Sequence, residues 1–170
     1  VTNEGERFQF FKPGSITEAQ AMNNIHMIDV RDPSKPTLIA EFPYPEVPED
    51  FPYKNFNEMN LGCQGPFGPH NLHEPMSGKP WLEQRGDRVY CCYFAAGLRV
   101  YDVSDPYYIK ELAYFIPPNP NKTPEESYFP GFPGPRNATT EDVIVDDRGY
   151  IIMDALDDGF YVLKMDESIK

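Results

Sequence analysis

The sequence predicts an all-β fold of short antiparallel strands in repeated units, and three observations carry that prediction. Among 170 residues, 19 Pro and 12 Gly interrupt any long helix and favour short strands joined by shaped loops. Residues 26 to 33, His-Met-Ile-Asp-Val-Arg-Asp-Pro, return at 99 to 106 as Arg-Val-Tyr-Asp-Val-Ser-Asp-Pro. Asp-Val and Asp-Pro stay in register at an offset of 73 residues, Asp29 to Asp102, and such self-similarity marks a fold built by stacking supersecondary units. Finally, 40% apolar and 14% aromatic residues supply a core, which separates the chain from disordered acidic segments.

The first unit, residues 1–45, is partial: a strand over 26–29, the Asp32-Pro33 turn, and a strand through Leu38-Ile39-Ala40-Glu41-Phe42. A Pro-rich insertion at 46–67 follows, with Val47-Pro48, Phe51-Pro52 and Pro66-Phe67. The full unit, 68–118, opens on Pro69-His70-Asn71-Leu72-His73-Glu74 and runs through Arg88 to Phe94. It then turns at Ala95-Ala96-Gly97 and finishes with Glu111-Leu112-Ala113-Tyr114-Phe115, a hairpin pattern with Gly in the turn. A second insertion, 119–136, holds Tyr128-Phe129-Pro130-Gly131-Phe132-Pro133. The last partial unit, 137–166, reads as strands from Thr140 to Val145, Tyr150 to Asp154 and Gly159 to Leu163, with Asp157-Asp158-Gly159 as its turn. Asp29 and Asp102 are expected to accept hydrogen bonds at their turns rather than contact a ligand.

Four short antiparallel strands repeated at a loose period, with loops of variable length between them, are the signature of a β-propeller blade. The predicted fold is therefore a portion of a β-propeller made of four-stranded blades with long Pro- and aromatic-rich loops. A closed ring takes about four blades or more, so one full and two partial blades call for another chain or further copies to complete it. Val1 in place of Met leads us to expect a processed or trimmed piece of a longer product.

The Asp-Val-Ser-Asp-Pro turn and the Leu112-Ala113-Tyr114-Phe115 run that follows it resemble the LVIVD repeat. That bacterial family is assigned to β-propellers on exported or cell-surface proteins. The likeness is fullest over 97–118 and extends over 26–42 and 138–166. It implies a propeller fold and an extracytoplasmic or secreted location. Gly68-Pro69-His70-Asn71 is also similar to the Gly-Pro-His segments of the selenium-binding, methanethiol-oxidase-like propellers.

With 15 Lys plus Arg against 27 Asp plus Glu, the net charge is −12, which argues against a phosphate-tracking nucleic-acid binder. No run of 18 apolar residues predicts a membrane span. The chemistry centres on His70 and His73. The first strand of each blade lines the channel, and aligning the two first strands sets Glu141 opposite His70 and Asp142 opposite Asn71. His70 and Glu141, with His73 as a third donor, form a candidate site for a divalent metal (Zn, Cu, Fe or Mn). Without a metal, His70 and Glu141 are a base and its polar partner. Positions 70 and 73 differ by an odd number and face opposite sides of a regular strand, so shared use requires Pro69 and Pro75 to distort the backbone. The competing reading is structural, with His70 bonded to a neighbouring blade and His73 in a loop. His26, where the other copy has Arg99, reads as a polar surface residue.

Three cysteines, two of them adjacent, form no disulfide scaffold. Cys91 and Cys92 read as two small buried hydrophobes on opposite faces, and Cys63 as a packing loop residue. Asp146-Asp147 and Asp157-Asp158 shape turns, and Asn121 and Asn137 head sequons. Two functions follow. One is an enzyme with its site at the channel mouth, walled by aromatics such as Tyr53, Trp81, Tyr128 and Phe132, that acts on a small organic substrate. The other is a non-catalytic module in which those aromatics grip a protein or carbohydrate, since propellers host both.

Overall fold

In a computed structural model of the chain, the described residues are Thr2, 24–46, 68–118, 138–156, 158–166 and 168–169. Nearly all of both Pro-rich insertions lies outside them, as do Tyr53, Cys63, Asn121, Tyr128, Phe132, Asn137 and Asp157. The described residues are all-β, with no helix. They form three small antiparallel sheets. The first pairs β1 (His26–Asp29) with β2 (Thr37–Glu41). The second runs in order through β3 (Arg88–Cys92), β4 (Leu98–Asp102) and β5 (Lys110–Phe115). The third does the same with β6 (Thr140–Val145), β7 (Tyr150–Ala155) and β8 (Gly159–Lys164).

The first and second sheets share one local design. Met27 pairs with Ala40 and Val100 with Ala113, and each ladder shifts register just after, between Met27 and Ile28 and between Val100 and Tyr101. The turns match bond for bond. Arg31 donates its N–H to Asp29 Oδ1 at 3.0 Å and Ser104 to Asp102 Oδ1 at 2.9 Å. Lys35 N–H reaches Asp32 O at 2.9 Å and Tyr108 N–H reaches Asp105 O at 3.0 Å. Both aspartates are thus consumed by their turns, as expected from the sequence.

These bonds fix the acid response. The Arg31 guanidinium, then its backbone N–H, holds Asp29 below the usual carboxylate range, and the Ser104 hydroxyl and N–H do the same for Asp102. A carboxylate depressed in the folded state contributes stability that is present above its unfolded pKa and lost as pH falls through the folded value. Wild type should therefore lose thermal stability below about pH 4. An Asp29→Asn/Asp102→Asn variant should lose less over the same range. Parallel acid curves for the two proteins would contradict this.

Alternation along β3 sends Val89 and Cys91 to one face and Tyr90 and Cys92 to the other. Tyr93, just past the strand, shares the first face. That face packs on Ile25, Met27, Ala40 and Phe42 of the first sheet, and the other on Val143, Val145, Ile151 and Met153 of the third. The middle sheet is therefore buried on both sides. Cys91 and Cys92 are free thiols in opposite layers, and burial pushes both above the ordinary thiol range, which leaves them unreactive. The third sheet is different. Its outward row, Ile144, Ile152 and Val162, lies directly in register across three strands, at 49%, 38% and 58% exposure, and Phe160 beside it is 71% exposed.

Candidate functional site

The middle sheet has three strands rather than the expected four, and the segment 70–73 lies along β3 without forming one. Its only ladder bridge joins Leu72 to Cys91. His70 N–H bonds Cys92 O at 2.8 Å, Cys92 N–H bonds Asn71 O at 3.0 Å, and His73 N–H bonds Tyr90 O at 3.0 Å. Pro69 and Pro75 bracket this segment and lack the N–H that would continue a ladder. A cavity of about 520 Å³ opens between the segment and β6, lined among others by His70, Asn71, His73, Glu74 and Asp142. Both histidines thus reach one cavity although their spacing is odd.

His70 and Glu141 are brought together, but through the main chain. His70 Nδ1 lies 3.1 Å from the carbonyl oxygen of Glu141. A carbonyl only accepts, so Nδ1 carries a proton, and in the neutral tautomer the ring's lone pair is on Nε2. The reason lies in β6, whose register shifts between Thr140 and Val143. A bulge there frees backbone groups from the ladder. The Glu141 carbonyl meets His70, the Asp142 carbonyl accepts the Cys92 thiol at 3.2 Å, and the Asp142 N–H donates to Asp154 Oδ1 at 2.6 Å. Asp142, rather than Glu141, lines the cavity.

Behind His70 stands Phe94, with ring centroids 4.7 Å apart. Phe94 adopts φ +47°, a left-handed conformation uncommon outside Gly and costly to hold. Its carbonyl accepts both the N–H and the hydroxyl of Thr140, at 3.1 and 3.0 Å. The strained residue therefore locks the middle sheet to the start of β6 and fixes the wall against which His70 rests.

His73 links three chain segments. Val145 donates its N–H to Nδ1 at 3.1 Å, and Nε2 lies 3.1 Å from Glu83 O. The ring is thus the Nε2–H tautomer with both nitrogens engaged by backbone, and its edge meets Tyr90 at 6.0 Å. Binding a metal through either nitrogen would break one of these bonds. His73→Ala strands one buried acceptor and one donor and should lower unfolding stability by about 1–3 kcal/mol. His73→Gln, which can both donate and accept, should recover part of the loss. An unchanged denaturant midpoint in His73→Ala would refute the link.

Among the described residues no three His, Cys, Asp or Glu side chains gather as a metal-holding group. His26 is half-buried, its Nε2 3.7 Å from Glu41 Oε1. Sequence reasoning missed Phe94 and Thr140 as site-forming residues, and set Asp142 opposite Asn71 without giving it a role. Only the Asp142–Asp154 pair gave a sequence-level hint, since polar residues interrupt β6 and β7 at facing positions. Compared with known proteins, the chain matches no family model, no curated protein and no solved structure.

Proposed function

We propose that this chain is a portion of a β-propeller, completed by another chain or by further copies, with a small-molecule site beside His70. The stacking of the sheets supports the first part. The middle sheet is covered on both faces, and the third presents the same kind of apolar row, Ile144, Ile152 and Val162, on its far side. An apolar face of that sort marks an interaction surface, and in a stack of blades its occupant is the next blade. A size measurement tests this. The assembled particle should exceed one chain and fall back to one chain in Val162→Lys. A folded single-chain particle even at about 1 mM would overturn completion by further copies and leave only another chain to complete the ring.

The bond from His70 Nδ1 to the Glu141 carbonyl carries the second part. A ring oriented by a backbone carbonyl presents Nε2 as proton acceptor, the arrangement of a positioned general base. The cavity supplies Asn71, Glu74 and Asp142 as polar partners to orient a small organic substrate. A metal-assisted version would use His70 as one ligand and would need further ligands from outside the described residues. The alternative, a non-catalytic binding module, draws on exposed Trp81, Tyr107 and Tyr108. A thermal-shift screen of small hydroxylated and carbonyl compounds separates the two. Hits that lose their effect in His70→Gln support the site, and hits indifferent to that change favour the binding module.

A further inference from the structure

Three turns of the chain are closed by the same pair of bonds. Asp32 takes the Ser34 N–H on Oδ1 at 3.0 Å and the Lys35 N–H on its carbonyl at 2.9 Å. Asp105 does the same with Tyr107 and Tyr108, at 2.9 and 3.0 Å, and Asp166 with Ser168 and Ile169, at 2.8 and 3.0 Å. In the first two units an outer strand begins five residues after the aspartate, β2 at Thr37 and β5 at Lys110. After Asp166 no described residue supplies one. β8, which leads into that turn, is the counterpart of β4 at an offset of 62 residues, Gly97 to Gly159. Their hairpins agree, since Asp158 N–H bonds Ala155 O at 3.1 Å and Ala96 N–H bonds Tyr93 O at 3.0 Å. Alternation in an antiparallel ladder then turns the main chain of Phe160, Val162 and Lys164 away from β7, as it turns that of Leu98, Val100 and Asp102 toward β5. Leu98 and Val100 are each 2% exposed, whereas Phe160 and Val162 stand at 71% and 58%.

β8 pairs with β7 alone among the described strands, yet it is not built as an edge. β2 and β5, which do end their sheets, each carry a register shift and charged residues, the devices that blunt an edge. β8 pairs in six unbroken steps, and its one charge is Lys164. We propose that β8 accepts an extended segment of a partner chain, added antiparallel as the outer strand of the third sheet. Main-chain bonds give such an addition its affinity and alternate side chains its selectivity. The two strands already in this role define the occupant. Ala40 faces Met27 and Phe42 N–H bonds Ile25 O at 3.0 Å, while Ala113 and Phe115 face Val100 and Leu98. The partner's segment therefore carries a small residue across Val162 and an aromatic one across Phe160. Across Lys164 it carries a neutral or acidic residue, because like charges placed opposite each other destabilise a pair. Only the origin of the segment rests on the completion by another chain proposed above; the edge itself follows from the turns and from β8.

An acetylated and amidated peptide of residues 36–43, with Thr37 rather than Lys110 to set across Lys164, tests this when titrated into the full chain by NMR. Its terminal prolines keep it from extending a sheet further. Saturable shifts are expected, strongest at the amides of Phe160, Val162 and Lys164, with slowed hydrogen exchange at the same positions. Methylating the peptide nitrogen of Ala40, which bonds the neighbouring strand in the β2 register, should weaken binding about tenfold or more. Methylating that of Glu41, which points the other way, should not. The proposal is overturned by equal effects of the two methyl groups, by equal binding of a scrambled peptide, by no saturation up to about 10 mM, or by a dimer in which β8 of one copy pairs with β8 of another. A single-chain particle that binds the peptide supports the edge while it removes completion by further copies, so the two readings fail separately.

Discussion

Gly97→Ala is expected to destabilise the protein by about 3–5 kcal/mol, more than the same change at Gly78, Gly86, Gly149 or Gly159, where an added Cβ meets nothing within 4 Å. Gly97 closes the β3–β4 hairpin at φ +77°, donating its N–H to Phe94 O at 3.0 Å and accepting Tyr93 N–H at 2.8 Å. A Cβ there would lie 2.3 Å from Phe115 O and 2.8 Å from Ile116 Cα. Both obstacles are backbone of β5 or its continuation, paired to β4 through Leu98 and Phe115, so neither can swing aside. Relief would require β5 to move away from the middle sheet, which is packed on both faces. Gly149 supplies the control, because it has a similar φ of +80° but nothing within 4 Å of its added Cβ. Ala at 149 should cost only the conformational part, about 1 kcal/mol. Urea unfolding that places the two variants at the same stability would show that the close approach does not matter.

Much of the architecture was legible in the residues because it depends on local rules. The period-two run from Val89 to Tyr93 reports a strand buried on both faces, and it separates Cys91 from Cys92 without further information. The duplicated Asp-Val and Asp-Pro pairs report two turns closed by the same bonds, since an aspartate that bonds the N–H two residues on is a local device. The site was legible only in outline. Alignment of first strands set His70 beside Glu141, and they are neighbours, but a β6 bulge turned the carbonyl, not the carboxylate, toward the ring. A bulge is chosen by pairing across the sheet, which a linear reading does not contain. The tie between His73 and Val145 spans 72 residues and depends on how two sheets meet. Arg99 was hidden as well. Its counterpart His26 reads as a polar surface residue, and Arg99 itself is wholly buried.

Removing the Glu111 carboxylate in Glu111→Ala is expected to cost about 2–4 kcal/mol, and an Arg99→Met/Glu111→Leu double variant should recover most of it. The Arg99 side chain is 0% exposed and that of Glu111 23%. Arg99 Nε donates to Ala96 O at 3.0 Å, Nη1 donates to Glu46 O at 2.8 Å and to the two Glu111 oxygens at 3.3 and 3.4 Å, and the guanidinium lies 4.9 Å over the Tyr114 ring. Burial pulls Arg99 below its ordinary range and pushes Glu111 above its own, and in each case the partner's charge only partly offsets it. Desolvation therefore outweighs attraction for both groups. Deleting one partner leaves a buried guanidinium with less compensation, whereas deleting both removes the desolvation cost altogether. The pH dependence carries the opposite sign to that of the turn aspartates. A carboxyl raised in the folded state contributes stability that is present below its unfolded pKa and lost as pH rises through the folded value. As pH rises above the ordinary carboxylate range, wild type should thus lose stability relative to Glu111→Gln. If the double variant is as unstable as Glu111→Ala, the ion pair is a net stabilising element and the balance assigned here is reversed.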